Sequence, residues 1–143
     1  MIDINQIFYM LSGDRDEATQ ATGIREAQNI EYLSILFQPI ESKSVWENCA
    51  RVLASKTDDM LAMYQYQMFE WLQDMNWPGA QIIFDRLLAM PASMLSTPFQ
   101  YSLKKAQALN DEPWTYWLLL FQQKYESRSG IGGTSLCQTD NLN

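Results

Sequence analysis

No histidine occurs among the 143 residues of the chain. Without an imidazole, neither a Ser-His-Asp triad nor a Cys-His nucleophile can form. No third ligand lies close in sequence to the carboxylate pair of Glu70 and Asp74, as a metal site would require. We therefore expect no catalytic residue, no metal site and no cofactor, and a protein that is not an enzyme.

Cysteine is nearly as scarce, with Cys49 and Cys137 far apart in the sequence. Two cysteines make no disulfide framework, which favours a reducing compartment. Cys49 lies on the apolar stripe of a helical segment and is expected to be a buried, inert thiol. The N-terminus lacks the basic region of a secretory signal, and no apolar run approaches the roughly 20 residues of a membrane span. We therefore expect a cytoplasmic protein without a membrane partner.

Basic residues are few, since ten Lys and Arg accompany 17 Asp and Glu, for a net charge of −7. Residues 1–80 carry twelve acids and five bases, and residues 57–85 carry five acids and no base. A phosphate backbone requires a basic face, so the composition argues against nucleic-acid binding. A basic protein partner would be attracted instead. An acidic balance that serves solubility alone is the alternative.

Strand patterns are absent, and apolar residues recur at helical spacing through most of the chain. Proline and polar turn residues separate these segments, which predicts about seven amphipathic helices. Their wide apolar stripes favour antiparallel helix pairs, packed as a HEAT-like stack or a compact helical bundle. The expected fold is all-α, with a single helical domain over residues 1–128. Residues 129–143 contain three glycines and no helical period, which predicts a flexible tail.

Local signals also predict where individual helices begin and end. One helix should run over about residues 23–38 and another over about residues 58–75. The remaining signals are a capping box at Ser44 and Glu47, and proline in the first helical position at Pro78 and at Pro98.

The segment W-L-Q-D-M-N-W-P-G, residues 71–79, closes one helix, turns and opens the next. We expect its tryptophans to hold the turn together, with each indole N–H bonded to a nearby carbonyl oxygen. Asn76 suits the left-handed or turn conformation that ends a helix. The structural turn is thus assigned to Trp71, Asn76, Trp77, Pro78 and Gly79.

Several segments around this turn resemble a family of small bacterial all-helical domains of unknown function. They are V-W-E-N-C-A-R-V-L (45–53), K-T-D-D-M-L (56–61), F-E-W-L-Q-D-M-N-W-P-G-A (69–80), I-F-D-R-L-L (83–88) and A-x-x-x-N-D-x-x-W (106–114). The resemblance covers about residues 24–120 and implies a HEAT-like fold. It brings no activity and no catalytic residue. Some members resemble the small cytoplasmic partners of polymorphic toxins, which implies an immunity role.

One surface is expected to bind a protein partner. On a helix over residues 58–75, the side opposite the apolar stripe carries Tyr66 among acidic residues. Tyrosine is enriched in interfaces, and acidic neighbours accelerate association with a basic partner. The predicted partner-binding residues are Asp58, Asp59, Tyr66, Glu70, Gln73 and Asp74. An ordinary solvated helix face is the alternative, both for this set and for a carboxylate pair of Glu70 and Asp74.

Two functions follow from these observations. The first is a non-catalytic protein-interaction module, most specifically an immunity protein that neutralises a cognate toxin, for which a basic nuclease is one candidate. The second is a small ligand-binding or enzymatic domain with an aromatic-lined pocket formed by Trp46, Trp71, Trp77 and Trp114. A toxin-like protein encoded by the neighbouring reading frame would favour the first, and a metabolic operon the second. The oligomeric state is left open.

Overall fold

The computed structural model describes residues 3–39, 42–128 and Leu136. Within them the chain forms seven α-helices and no strand, which confirms the all-α fold class. The helices are α1 (Ile4–Leu11), α2 (Glu17–Ala27), α3 (Trp46–Ala54), α4 (Gln65–Glu70), α5 (Ala80–Leu88), α6 (Ala92–Ala108) and α7 (Glu112–Arg128). Short 3-10 helices lie at Leu33–Leu36, Lys43–Val45 and Trp71–Gln73.

The helices pack both against chain neighbours and across the molecule. α1 packs against α2, α2 against α3, and α6 against α7. α3 also packs against α5, and α4 against α6, so helices that are not consecutive in the chain share one interior. Such contacts belong to a compact helical bundle, one of the two architectures expected from the sequence.

Large aromatic side chains fill the centre of this bundle. Phe121 of α7 lies edge-to-face with Phe69 of α4, with ring centroids 5.4 Å apart. Trp114 and Tyr125 of α7 are also buried, and their polar hydrogens are donated to the carbonyl oxygens of Phe69 and Met90. These two rings therefore contribute apolar burial without leaving an unpaired donor.

The prediction of a second helix over residues 23–38 is wrong. α2 ends at Ala27, and residues 28–39 form turns around a short 3-10 helix. Asp16 caps the N-terminus of α2 by accepting the Thr19 N–H at 2.8 Å. Hydrogen bonds from Thr19 hold the pKa of Asp16 below its usual range.

The prediction of a single helix over residues 58–75 is also wrong. Residues 57–63 form turns, α4 follows, and a 3-10 turn then leads out of it. Arg86 of α5 contributes to the break, because its guanidinium donates to the Lys56 carbonyl oxygen and pairs with Asp58. Bonds from a distant helix thus hold this stretch in a geometry that helical periodicity does not reveal.

The capping box expected at Ser44 and Glu47 does not form. Ser42 accepts the Ser44 N–H instead, at the start of the 3-10 turn before α3. Glu47 accepts the N–H of Gly79, 32 residues away, at 2.8 Å. Gly79 is the N-cap of α5, so Pro78 does not take the first helical position expected for it.

Pro98 does not begin a helix as expected but lies inside α6. That helix starts at Ala92, with Pro91 as its N-cap. A proline in a helix interior costs roughly 3 kcal/mol through the lost hydrogen bond and its ring clash. Leu95 and Phe99 lie on one buried stripe of α6, and burial of such side chains stabilises the fold by roughly 1.5–3 kcal/mol each. The helix therefore continues through the proline.

Leu136 is the one residue of the predicted tail, 129–143, that the structure describes, and its side chain is buried. The rest of that tail prediction, and Cys137 with it, lies outside the described residues. Among the described helices, none combines the length and the apolar character needed to cross a membrane.

Candidate protein-binding face

The W-L-Q-D-M-N-W-P-G turn is held together by its own side chains. Trp71 is fully buried, and its indole N–H donates to the Pro78 carbonyl oxygen at 3.0 Å, as the sequence predicted. Asp74 accepts the Asn76 N–H at 2.8 Å, which closes an Asx turn. Asn76 thus lies in a turn, and the left-handed conformation is taken by Gly79, with a φ of 86°.

Gly79 is the point where this turn meets α3. A Cβ at this position would lie 2.7 Å from the Ala50 Cβ and 2.9 Å from the Trp46 carbonyl oxygen. Both the positive φ and the close approach therefore require glycine. Because the Gly79 N–H is also bonded to Glu47, the turn has a fixed position on α3.

Of the four tryptophans considered for a ligand pocket, Trp46 contacts two others. Trp46 lies edge-to-face with Trp71 and with the half-buried Trp77, with ring centroids 6.3 and 5.7 Å apart. The Trp46 indole N–H donates to the Pro39 carbonyl oxygen at 2.7 Å. The fourth, Trp114, belongs to the interior around α4 and α7. The ligand-pocket function stays a prediction.

A surface depression of about 600 Å³ opens between α1 and residues 30–39. Its lining is mostly apolar and includes Ile4, Phe8 and Phe37. None of the four tryptophans lines this depression, so it differs from the pocket expected from the sequence.

The structure divides the six predicted partner-binding residues between separate elements. Asp58 and Asp59 lie in the turns before α4, Tyr66 and Glu70 lie on α4, and Gln73 and Asp74 follow it. Asp58 pairs with Arg86 at 2.7 Å, and Asp74 accepts the Asn76 N–H, so both carboxylates hold local structure. Asp59 is exposed to solvent.

Tyr66 has neighbours that the sequence did not indicate. Its side chain, 39% exposed, lies edge-to-face with that of Tyr101 on α6, 54% exposed, with ring centroids 5.3 Å apart. Lys105, one turn further along α6, approaches the Tyr101 ring and pairs with Glu70 at 3.4 Å. Met63, in the turn before α4, is 84% exposed. We call Asp59, Met63, Tyr66, Glu70, Tyr101 and Lys105 the Tyr66 face.

Residues 57–85 contain no basic residue, but basic side chains from later in the chain lie next to them in the fold. In space, Arg86 pairs with Asp58 and Lys105 with Glu70, both from later helices. Lys56 is buried, and its ammonium donates to the Gln28 carbonyl oxygen at 3.1 Å. The fold thus uses several of its ten bases to hold its own elements together.

The chemistry of the described side chains is limited. Among the described residues, no group of three or more His, Cys, Asp or Glu could hold a metal ion. Glu70 and Asp74 do not have the one-turn helical spacing expected, because α4 ends at Glu70 and Asp74 is extended. Cys49 is buried on α3, and this burial raises its pKa to about 12. Its thiol is therefore protonated at neutral pH and a poor nucleophile.

A model of the family described as Domain of unknown function (DUF5071) matches residues 44–130. The match covers more than half of the chain, so the protein belongs to this family. It includes α3 to α7 and the whole Tyr66 face, whereas α1, α2 and the depression lie outside it. The resemblance to an uncharacterised family is confirmed. No curated protein and no solved structure matches the chain.

Proposed function

We propose that this DUF5071 protein is a non-catalytic protein-interaction module, an immunity protein that binds a basic toxin domain and blocks its activity. The Tyr66 face is the binding surface. The observation that carries the proposal is the exposed pair of Tyr66 and Tyr101, in mutual contact and beside the exposed ion pair of Glu70 and Lys105.

Exposed rings that already touch each other are suited to protein recognition. The contact between Tyr66 and Tyr101 restricts both side chains before a partner arrives, so less conformational entropy is lost on binding. Tyrosine and methionine are both enriched in protein interfaces. Met63 adds exposed apolar surface that can adapt its shape to a partner.

The charge of the protein favours a basic partner. The chain carries a net charge of −7, while Arg86, Lys56 and Lys105 are engaged by groups within the molecule. An acidic surface steers a basic partner and can raise the association rate by roughly 10- to 1000-fold. A nuclease toxin fits this description, since a protein that binds phosphates needs a basic surface. Such a toxin acts in the cytoplasm, where its immunity protein would also reside.

The test uses the protein encoded by the adjacent reading frame as the candidate partner. In a growth-protection assay, the double variant Tyr66→Ala/Tyr101→Ala should lose protection. The dissociation constant should rise roughly 30-fold or more, because truncation of an interface hot spot costs about 2 kcal/mol or more. Circular dichroism checks that the variant is folded.

Tyr32→Ala is the matched control, because Tyr32 is 77% exposed and lies outside the family match. It should protect as well as the wild-type chain. Full protection by the Tyr66→Ala/Tyr101→Ala variant would exclude the Tyr66 face. Failure of the wild-type chain to bind its neighbour would remove the immunity role.

A further inference from the structure

Leu136 is held from two sides although it lies beyond the last helix. Its carbonyl oxygen accepts a hydrogen bond from the side-chain amide of Gln100 on α6, at 2.8 Å. Its N–H donates to Oε2 of Glu126 on α7, at 3.1 Å. Its side chain is fully buried. The main-chain groups and the side chain of this residue are thus all bound by the rest of the fold.

This mode of binding is the one used in peptide recognition. The N–H and C=O groups are common to all residues except proline, so side chains that bind both of them position a chain whatever its sequence. The buried apolar site then selects the side chain. Leu136 belongs to the hydrophobic core that also holds Phe99 and Tyr125, the sequence neighbours of Gln100 and Glu126. A close-packed interior of this kind discriminates between side chains by size.

The family match supplies an independent observation. The matched region ends at residue 130, so Gln100 and Glu126 belong to the shared domain and Leu136 does not. The two side chains that clamp the main chain are therefore part of the DUF5071 domain, whereas their occupant comes from outside it. In this chain, the DUF5071 domain thus accommodates a residue from outside the matched region.

We infer that the Gln100–Glu126 site is a peptide-binding site for a leucine whose main-chain N–H and C=O groups are both bonded, and that Leu136 occupies it within the same chain. A protein partner that presents a segment of the same chemistry exchanges with Leu136. This site is built on α6 and α7 and does not depend on the binding role proposed for the Tyr66 face.

The probe is a fluorescein-labelled peptide, G-T-S-L-S-Q-T, which corresponds to residues 133–139 with serine in place of Cys137. Fluorescence anisotropy measures its binding to the full-length chain. The Leu136→Ala variant should bind it at least about tenfold more tightly than the wild type, because a tethered occupant competes at millimolar effective concentration. Leu142→Ala, the same change at another leucine of the tail, should bind as the wild type does. A peptide that carries Leu136→Ala should bind to none of these proteins.

Equal affinity of the probe for the wild type and for Leu136→Ala would overturn the inference, as would equal affinity of the two peptides. If Leu136→Ala does not fold, hydrogen exchange on the wild type decides. The Leu136 N–H should then exchange slowly, and at least about tenfold faster in several millimolar peptide. An exchange rate that the peptide leaves unchanged would overturn the inference.

Discussion

Gly79 has no room for a side chain, and its backbone conformation disfavours one. Gly79→Ala should lower the free energy of unfolding by about 2–5 kcal/mol, because a left-handed φ costs an L-residue roughly 1–2 kcal/mol and overpacking adds roughly 1–3 kcal/mol. Urea denaturation measures the loss. In the control Gly13→Ala, the new Cβ would lie 3.5 Å from the Ser44 carbonyl oxygen, an ordinary contact. Equal midpoints for the two variants would contradict the close approach at Gly79.

The reactivity of the Cys49 thiol reports how tightly the core around α3 is packed. Burial raises its pKa from an ordinary value of 9.0 to about 12, so the folded chain keeps this thiol protonated at pH 8. In a Cys137→Ser variant, iodoacetamide should label the native chain at least about a hundredfold more slowly than the chain in urea. Rapid labelling of the native chain would place Cys49 at the surface.

The raised pKa of Cys49 also fixes the sign of a pH effect. A thiol that ionises at higher pH in the folded state binds more protons there than in the unfolded state. Its contribution to stability is therefore fully present below pH 9 and is lost as the pH rises toward 12. A Cys49→Ala variant should lose this part of the alkaline pH dependence.

At the scale of the element, α2 depends on Asp16 for its N-terminal cap. Because the pKa of Asp16 is lowered from 3.8, its contribution to stability is present above that value and is lost as the pH falls through the folded pKa. The Thr19 amide resonance should therefore titrate with a midpoint below pH 3.8. Asp16→Asn keeps a good capping residue without a titrating group, so its Thr19 resonance should not shift. A wild-type midpoint at or above 3.8 would contradict the cap.

The helices differ in how well their sequence predicts them. In α7, the buried residues Trp114, Leu118, Phe121 and Tyr125 follow the helical period, so the apolar spacing alone indicates this helix. The stretch before α4 could not be predicted in the same way, because turns of the 3-10 type and α-helices both place residues three apart on one side. There the outcome depends on bonds from Arg86, which is distant in sequence.

Proline and capping signals failed for a related reason. Pro98 matches the rule for a helix start, but a continuous buried stripe extends α6 on both sides of it. Ser44 and Glu47 have the spacing of a capping box, but Glu47 bonds to Gly79 across the molecule. Local rules describe what a segment favours in isolation, and tertiary contacts decide between alternatives of similar energy.

At the scale of the whole molecule, the sequence reveals the balance of charge but not the pairing of charges. It indicated that Tyr66 lies on an exposed side of its helix, and it missed Tyr101 and Lys105, which approach from α6. Tyr101 and Lys105 have the i, i+4 spacing that places two side chains on the same face of a helix, so the sequence does indicate that they are neighbours. Which helix that face meets depends on tertiary packing, for which no local pattern exists.

If the Tyr66 face binds a basic partner, charge reversal on this face should slow association with the protein encoded by the adjacent reading frame. Asp59→Lys/Glu70→Lys changes two acids of this face, while Glu17→Lys/Glu26→Lys on α2 changes the net charge equally. At about 10 mM salt the first variant should associate roughly tenfold more slowly than the second. The difference should vanish near 1 M salt, where screening reduces the Debye length to about 3 Å. Equal rates for both variants at every salt concentration would exclude the Tyr66 face as the binding surface.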